Sequence, residues 1–259
     1  MAFQYIDYSV EDAVAVIRLD RQDVLNSFNK QMAHELQNAL DDAAGDDSVR
    51  AVYLTGKGRA FCAGQDLQEA LSGEIEIRKI VKDHYNPIIL KLRDIPKPVV
   101  CGVNGTAAGA GANIAFACDI VFAAKSSKFT QAFSMIGLIP DSGGTYILPR
   151  LIGIQRAAAL TMLAEKLTAD DAEKMGLIWK SIDDSELESS ALGAAKKLAQ
   201  MPTKGLAYTK KLLNLSADST LEAQLALEEE YQSRAGSTYD YKEGVNAFLE
   251  KRKPEFKGK

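Results

Sequence analysis

Val52-Tyr-Leu-Thr55, then Gly56-Lys-Gly-Arg-Ala-Phe-Cys-Ala-Gly64, then Gln65-Asp66, reads as a buried strand, a glycine-rich stretch and the mouth of a helix. The same order recurs downstream. Val99-Val-Cys-Gly-Val103 is a β-branched strand, followed by Gly105-Thr-Ala-Ala-Gly-Ala-Gly-Ala-Asn113 and a helix from Gly109 to Cys118. A third glycine-rich stretch, Gly137-Leu-Ile-Pro-Asp-Ser-Gly-Gly-Thr145, precedes a helix ending near Leu151. Outward from these, Val14-Ala-Val-Ile-Arg-Leu19 is a strand. Met32, Leu36 and Leu40 recur at spacings of four, so a helix runs from Asn29 to about Ala44. Asp66 to Leu71 reads as a short helix, and Ile75 to Leu92 as a longer one kinked or broken near Pro87. Ile120 to Ala124 and Leu177 to Ile182 read as strands.

Alternation of strand and helix predicts an α/β core. After Ser185 the pattern is helical to the end: 185–201, 203–214, 219–234 and 241–252. The chain therefore divides into a core over residues 1–200 and a helical segment over 201–259. That segment is too short and too amphipathic to bury its own faces, and is expected to pack on the core or on another subunit.

Bulk properties narrow the function. The chain has 259 residues, a net charge of −4, 46% hydrophobic and 25% charged residues. Nothing in that balance advertises nucleic acid or an anionic membrane. No stretch reaches the ~20 apolar residues of a membrane span, and the start shows no basic-then-apolar leader, so a cytoplasmic location is expected. Cys62, Cys101 and Cys118 lack metal spacing and read as reduced, packed thiols. His34-Glu35 has Asn38 where a second metal-binding histidine would stand. Gly109-Ala-Gly111 meets Ile114 where a dinucleotide fingerprint needs a third glycine. Metal and nicotinamide chemistry are disfavoured, and no resident cofactor is expected.

What remains is backbone chemistry. A helix mouth offers unpaired N–H groups and the positive end of a dipole. Two such mouths aimed at one point polarise a carbonyl oxygen. Any one loop, taken alone, is better explained as a turn. Likewise Asp141, between Pro140 and Ser142-Gly-Gly, is placed as a helix cap worth ~1 kcal/mol, and Asp66 as another.

Taken together, the loops resemble the enoyl-CoA hydratase/isomerase (crotonase) family. Gly58 to Leu67, Lys97 to Asn113, Leu19-Asp-Arg21, Gly137-Leu-Ile-Pro140 and Glu243 to Phe256 fit it in order along the whole chain. The resemblance implies a crotonase-type spiral of ββα units with a helical C-terminal oligomerisation segment, trimers or dimers of trimers, and an acyl-CoA thioester substrate. Coenzyme A is then part of the substrate. The implied oxyanion hole consists of the N–H groups of Gln65 and Ala110. Val24, Leu25, Ala63, Asp66 and Leu67 match positions lining the coenzyme A arm. Phe248 and Lys251 match tail positions that reach its adenine and phosphate, often from a neighbouring subunit.

Two departures matter. A hydratase of this family uses two glutamates; this chain has Asn113 at one of those positions and Phe133 at the other. Loss of both removes the groups that activate and protonate water. Asp141 matches the acidic position of isomerase-like members, so the resemblance implies a single-carboxylate isomerase acting on an aromatic epoxide thioester or moving a Δ3 double bond to Δ2. The alternatives are an enoyl-CoA hydratase, a dehalogenase-like enzyme with Asp141 as nucleophile, and a non-catalytic RNA-binding scaffold.

Overall fold

The computed structural model describes residues 3–71 and 76–259; the expected helix start at Ile75 lies outside them. Among the described residues, ten strands form two sheets. They are β1 (Ile6–Glu11), β2 (Val14–Leu19), β3 (Ala51–Gly56), β4 (Ala60–Cys62), β5 (Val99–Val103), β6 (Thr106–Ala108), β7 (Ile120–Ala124), β8 (Lys128–Thr130), β9 (Leu167–Thr168) and β10 (Lys180–Ile182). The larger sheet has the order β1-β2-β3-β5-β7-β10 and the smaller one β4-β6-β8-β9. Only β1-β2 and β8-β9 are antiparallel.

The spiral is visible in how the strands are shared out. β3 then β4, β5 then β6, and β7 then β8 each put one strand in the large sheet and the next in the small one. Helices Leu67–Leu71, Ala110–Phe116 and the 3-10 turn Ala132–Ile136 follow these pairs. Because β4, β6 and β8 run parallel, their C-terminal ends point the same way. The segments leaving those ends begin at Ala63, Gly109 and Gln131, so parallel pairing brings the candidate loops to one end of the small sheet.

The large sheet is covered on both faces, as parallel strands require. Ala15, Ile17, Val52, Leu54, Val99 and Cys101 face a core shared with helix Lys30–Gly45. Their alternates Val14, Val16, Ala51, Tyr53 and Val100 meet helix Leu187–Ala199 through Leu187, Ala191, Ala195 and Ala199. That helix shows a four-residue stripe and the strands a two-residue alternation, each matching its own geometry.

Several expectations need correction. The stretch 56–64 holds β4, and 105–113 holds β6; both read as continuous loop because alanine, glycine and cysteine carry little strand preference. The late strand is confined to Lys180–Ile182, and the structure adds β1 and helices Ile154–Leu163 and Ala169–Lys174. Helices Thr203–Ser216, Leu221–Gly236 and Tyr239–Glu250 close the chain. Leu221–Gly236 buries no residue, and Leu221, Phe248 and Leu249 are exposed. The first of the three is tied to the core by Lys210, whose ammonium donates to Leu92 O and Lys97 O and pairs with Asp119 at 2.8 Å.

Candidate active site

Two loops are zipped together at the head of the site. Ala63 N–H donates to Leu25 O (3.0 Å), Phe28 N–H to Gly64 O (2.7 Å) and Asp66 N–H to Phe28 O (2.8 Å). Phe28 thus brackets Gln65 in a parallel bridge. In that pattern Phe28 bonds the residues either side of Gln65, so the N–H of Gln65 itself points away from the 24–28 segment. This zip gathers Val24, Leu25, Ala63, Asp66 and Leu67 on one rim, with Val24 and Leu67 exposed. Arg21 ties it down, donating to Ser27 O and pairing with Asp66 Oδ2 at 3.0 Å. Asp66 Oδ1 also accepts from Gln68 N–H, so its expected capping role is present.

The second loop lies against the first. Gly64 adopts φ +94°, and a Cβ on it would sit 2.9 Å from Ala108 O and 3.8 Å from Ala110 N. Only glycine permits that approach. Ala110 is the first residue of its helix, so its N–H has no partner one turn back. Gly111 seats on Cys62, where a Cβ would fall 2.5 Å from Cys62 O. Cys62 itself is fully buried, and burial pushes its thiol up to about 12; it is a packed wall.

Asp141 stands on the third loop. Its carboxylate does not cap helix Gly144–Ile152, whose N-cap is Gly143 with no side-chain bond. This corrects the capping expectation: Ser142 (φ 50°) and Gly143 (φ 73°) both turn through left-handed backbone, separating Asp141 from the helix mouth. The Asp141 carboxylate accepts from Ser142 Oγ at 2.8 Å. Burial raises its pKa above the usual carboxylate range, against the smaller lowering effect of that hydroxyl.

Asn113 holds the loop in place. Its Nδ2 donates to Asp141 O (2.9 Å), and its Oδ1 accepts from Gln131 Nε2 (2.8 Å). Asn113 is fully buried, and a Cβ on Gly144 would lie 2.5 Å from Asn113 Nδ2, so the amide is wedged against that helix. Phe133 is buried beside Gly109, with its ring 3.6 Å from where a Gly109 Cβ would be.

One further residue, Tyr85, reaches this site from the long helix. The long helix is interrupted by a π-helical stretch, Ile80–Tyr85, directly before Asn86–Asp94. Its cause is Pro87, which has no N–H for Asp83 O and crowds that carbonyl. Gln37 Nε2 takes over, donating to Asp83 O (2.9 Å) and His84 O (3.0 Å). The widened turn carries Tyr85 into the interior, where its hydroxyl donates to Gln65 Oε1 at 2.6 Å. Its ring meets Phe28 edge to face at 6.0 Å. Burial raises the phenol well above its ordinary value, with Cys62 and Asp141 adding to the effect.

Phe248 and Lys251 are not brought to this site within the chain. Both are exposed at the end of helix Tyr239–Glu250, and among the described residues no hydrogen bond or ion pair joins them to it. Among the described residues no cluster of three or more His, Cys, Asp or Glu is placed to hold a metal ion. No helix among them is long and apolar enough to cross a membrane.

The sequence pattern of the enoyl-CoA hydratase/isomerase family matches residues 9–259. The chain is 46% identical to the 1,2-epoxyphenylacetyl-CoA isomerase of Escherichia coli (strain K12), covering 99% of both. It is 44% identical to a protein of Rhodobacter capsulatus named "Probable enoyl-CoA hydratase", covering all of both. The crystal structure of an enoyl-CoA hydratase from Bacillus anthracis superimposes with a TM-score of 0.93 at 31% identity, covering 99% of this chain and all of that one.

Proposed function

The chain belongs to the enoyl-CoA hydratase/isomerase family, and we propose that it is an acyl-CoA isomerase whose single acid/base is Asp141. In this reading the thioester oxygen accepts from the N–H groups of Gln65 and Ala110, which stabilise the enolate that forms on proton removal. Asp141 takes a proton from the carbon next to the thioester and returns it further along the conjugated system. With a Δ3 enoyl chain the double bond moves to Δ2; with a ring-1,2-epoxide of phenylacetyl-CoA the ring opens to the oxepin. The likeness to the Escherichia coli enzyme favours the aromatic epoxide. A carboxylate with a raised pKa is a stronger base and suits that proton transfer.

The observation that carries the proposal is the state of Asn113. At a position where a hydratase carries a glutamate, this chain has a fully buried amide with both ends engaged, one of them holding the Asp141 loop. That residue serves as a strut and, being a neutral amide, has no acid/base group with which to activate or protonate water, which leaves Asp141 to act alone. Replacing Asp141 with Asn should abolish turnover of an acyl-CoA panel while binding of a CoA thioester persists; full activity would refute it.

The nucleophile reading of Asp141 finds less support. It wants a histidine base at Asp141, but His84 stacks edge-on with His34 at 5.4 Å, and burial is the main reason its pKa is lowered. Coenzyme A is bound as part of the substrate. Its arm runs along Val24, Leu25, Ala63, Asp66 and Leu67, and Phe248 and Lys251 meet the adenine and phosphate held by a neighbouring subunit. The exposed apolar residues of 201–259 then pack in a trimer or a dimer of trimers.

A further inference from the structure

We infer that Tyr85 is a positioning residue for the thioester-oxygen pocket, acting through Gln65. The inference rests on the isomerase reading only for where the thioester oxygen lies. Gln65 contributes a backbone N–H, so the pocket depends on how its peptide plane is held. One side of that plane is fixed by the Phe28 bridge. The other hold is the side chain. Its Oε1 accepts from Tyr85, while its Nε2 donates to Asp66 O (3.3 Å) and Glu69 Oε2 (3.2 Å). The bond to Tyr85 is the shortest of these and the most buried, since Tyr85 is 1% exposed.

The position of the tyrosine is set by its helix. An uninterrupted α-helix over 77–94 would rotate each residue beyond the interruption by a different angle. The π stretch, visible in Asn86 N–H bonding Val81 O five residues back, inserts one extra residue into the turn. Pro87 has no N–H for Asp83 O, and Gln37 donates to that carbonyl and to the neighbouring His84 O. The Tyr85 ring then stacks on Phe28, the same residue that bridges Gln65. Two independent holds on Gln65 thus run through one aromatic pair. The phenol stays protonated through the working pH range, because burial raises it, so it remains a donor.

Tyr85→Phe removes the hydroxyl and keeps the ring packing. The probe is acetoacetyl-CoA, whose enolate absorbs in the near ultraviolet and mimics the charge an isomerase stabilises. The parent protein should raise the enolate fraction at a given pH. Tyr85→Phe should lower that stabilisation by about tenfold and lower kcat about as much, with KM within about threefold, a smaller loss than the ~100-fold seen when an oxyanion donor is removed outright. Gln65→Leu should show a similar loss and add nothing in the double variant, because both break one link. The Asp141-dependent limb of the pH profile should stay in place, which a general loosening of the site would not allow. If Tyr85→Phe leaves the enolate fraction within twofold of the parent, or if the two losses add, the inference is overturned while the pocket stands. If the parent protein itself does not raise the enolate fraction, the pocket reading falls and takes the inference with it.

Discussion

Asn113→Asp changes one nitrogen to one oxygen and so isolates the strut from the volume it fills. In the parent, Asn113 Nδ2 donates to Asp141 O across 2.9 Å, and Asn113 Oδ1 accepts from Gln131. An ionised aspartate keeps the second bond and turns the first into a repulsive oxygen–oxygen contact. A buried charge with no cation beside it costs ~3–5 kcal/mol. The alternative is to take up a proton and donate it to Asp141 O, at a comparable cost at pH 7 and a smaller one in acid. From an unfolded pKa of about 3.9, holding that proton at pH 7 costs about 4 kcal/mol, at 1.36 kcal/mol per unit. The cost falls to about 1.5 kcal/mol at pH 5 by the same conversion. The sign follows from the folded pKa being raised: the stability is present at low pH and lost as pH rises through the folded value. Urea unfolding of parent and variant at pH 5, 6 and 7, compared as differences, reads this directly. Turnover should fall at least tenfold at pH 7, since a misplaced base of about 1 Å costs up to 100-fold. A stability difference that does not change between pH 5 and pH 7 would refute the strut.

Asp141→Asn should lower kcat by more than about a hundredfold, within the range for loss of a general base, with CoA-thioester affinity nearly unchanged by calorimetry. The same variant should unfold at a higher temperature than the parent at pH 7. Burial raises the Asp141 pKa, so ionisation opposes folding as pH rises through the raised value, and the gain should disappear in acid. Gly111→Ala places a methyl 2.5 Å from Cys62 O and 2.6 Å from Cys62 Sγ; overpacking of this kind costs ~1–3 kcal/mol, and a variant with the parent's melting temperature would contradict the packing. Cys62, Cys101 and Cys118 are all buried, so a thiol reagent should titrate no cysteine in native protein and all of them in denaturant.

The large sheet was legible because its strands are β-branched and its partner helices are periodic. Val14–Leu19, Val99–Val103 and Ile120–Ala124 came through with their bounds intact. The small sheet was not. Its strands are two or three residues long, as in Ala60–Cys62 and Thr106–Ala108, too short for a two-residue alternation to show. Yet those short strands decide where the site lies, because their shared direction gathers the loops. The candidate residues around Gln65, Ala110 and Asp141 were readable only through the likeness of whole motifs. The capping role of Asp141 was a reasonable local inference, defeated by the left-handed backbone at Ser142, which no propensity of serine announces.

Tyr85 shows the other limit. Pro87 reads as a kink or break in a long helix, and the structure has a π-helical interruption there while the helix runs on. A pattern reading stops at the proline; the consequence is carried by Gln37, on a different helix, which donates to Asp83 O, the carbonyl left without its α-helical donor, and to His84 O. Without such a donor, the exposed Asp83 O would turn to water, and the part-buried His84 O would lose a bond worth about 1 kcal/mol. With it, the chain keeps its course and gains one extra residue per turn, which is what turns Tyr85 toward Gln65. The same proline therefore has a structural effect and a functional one that cannot be separated locally. Gln37→Ala should test their connection: it removes only the donor to Asp83 O and His84 O, far along the chain from Gln65. If the π turn depends on that donor, acetoacetyl-CoA enolate formation should fall toward the Tyr85→Phe level. A Gln37→Ala protein with the parent's enolate fraction would show that Pro87 alone sets the turn.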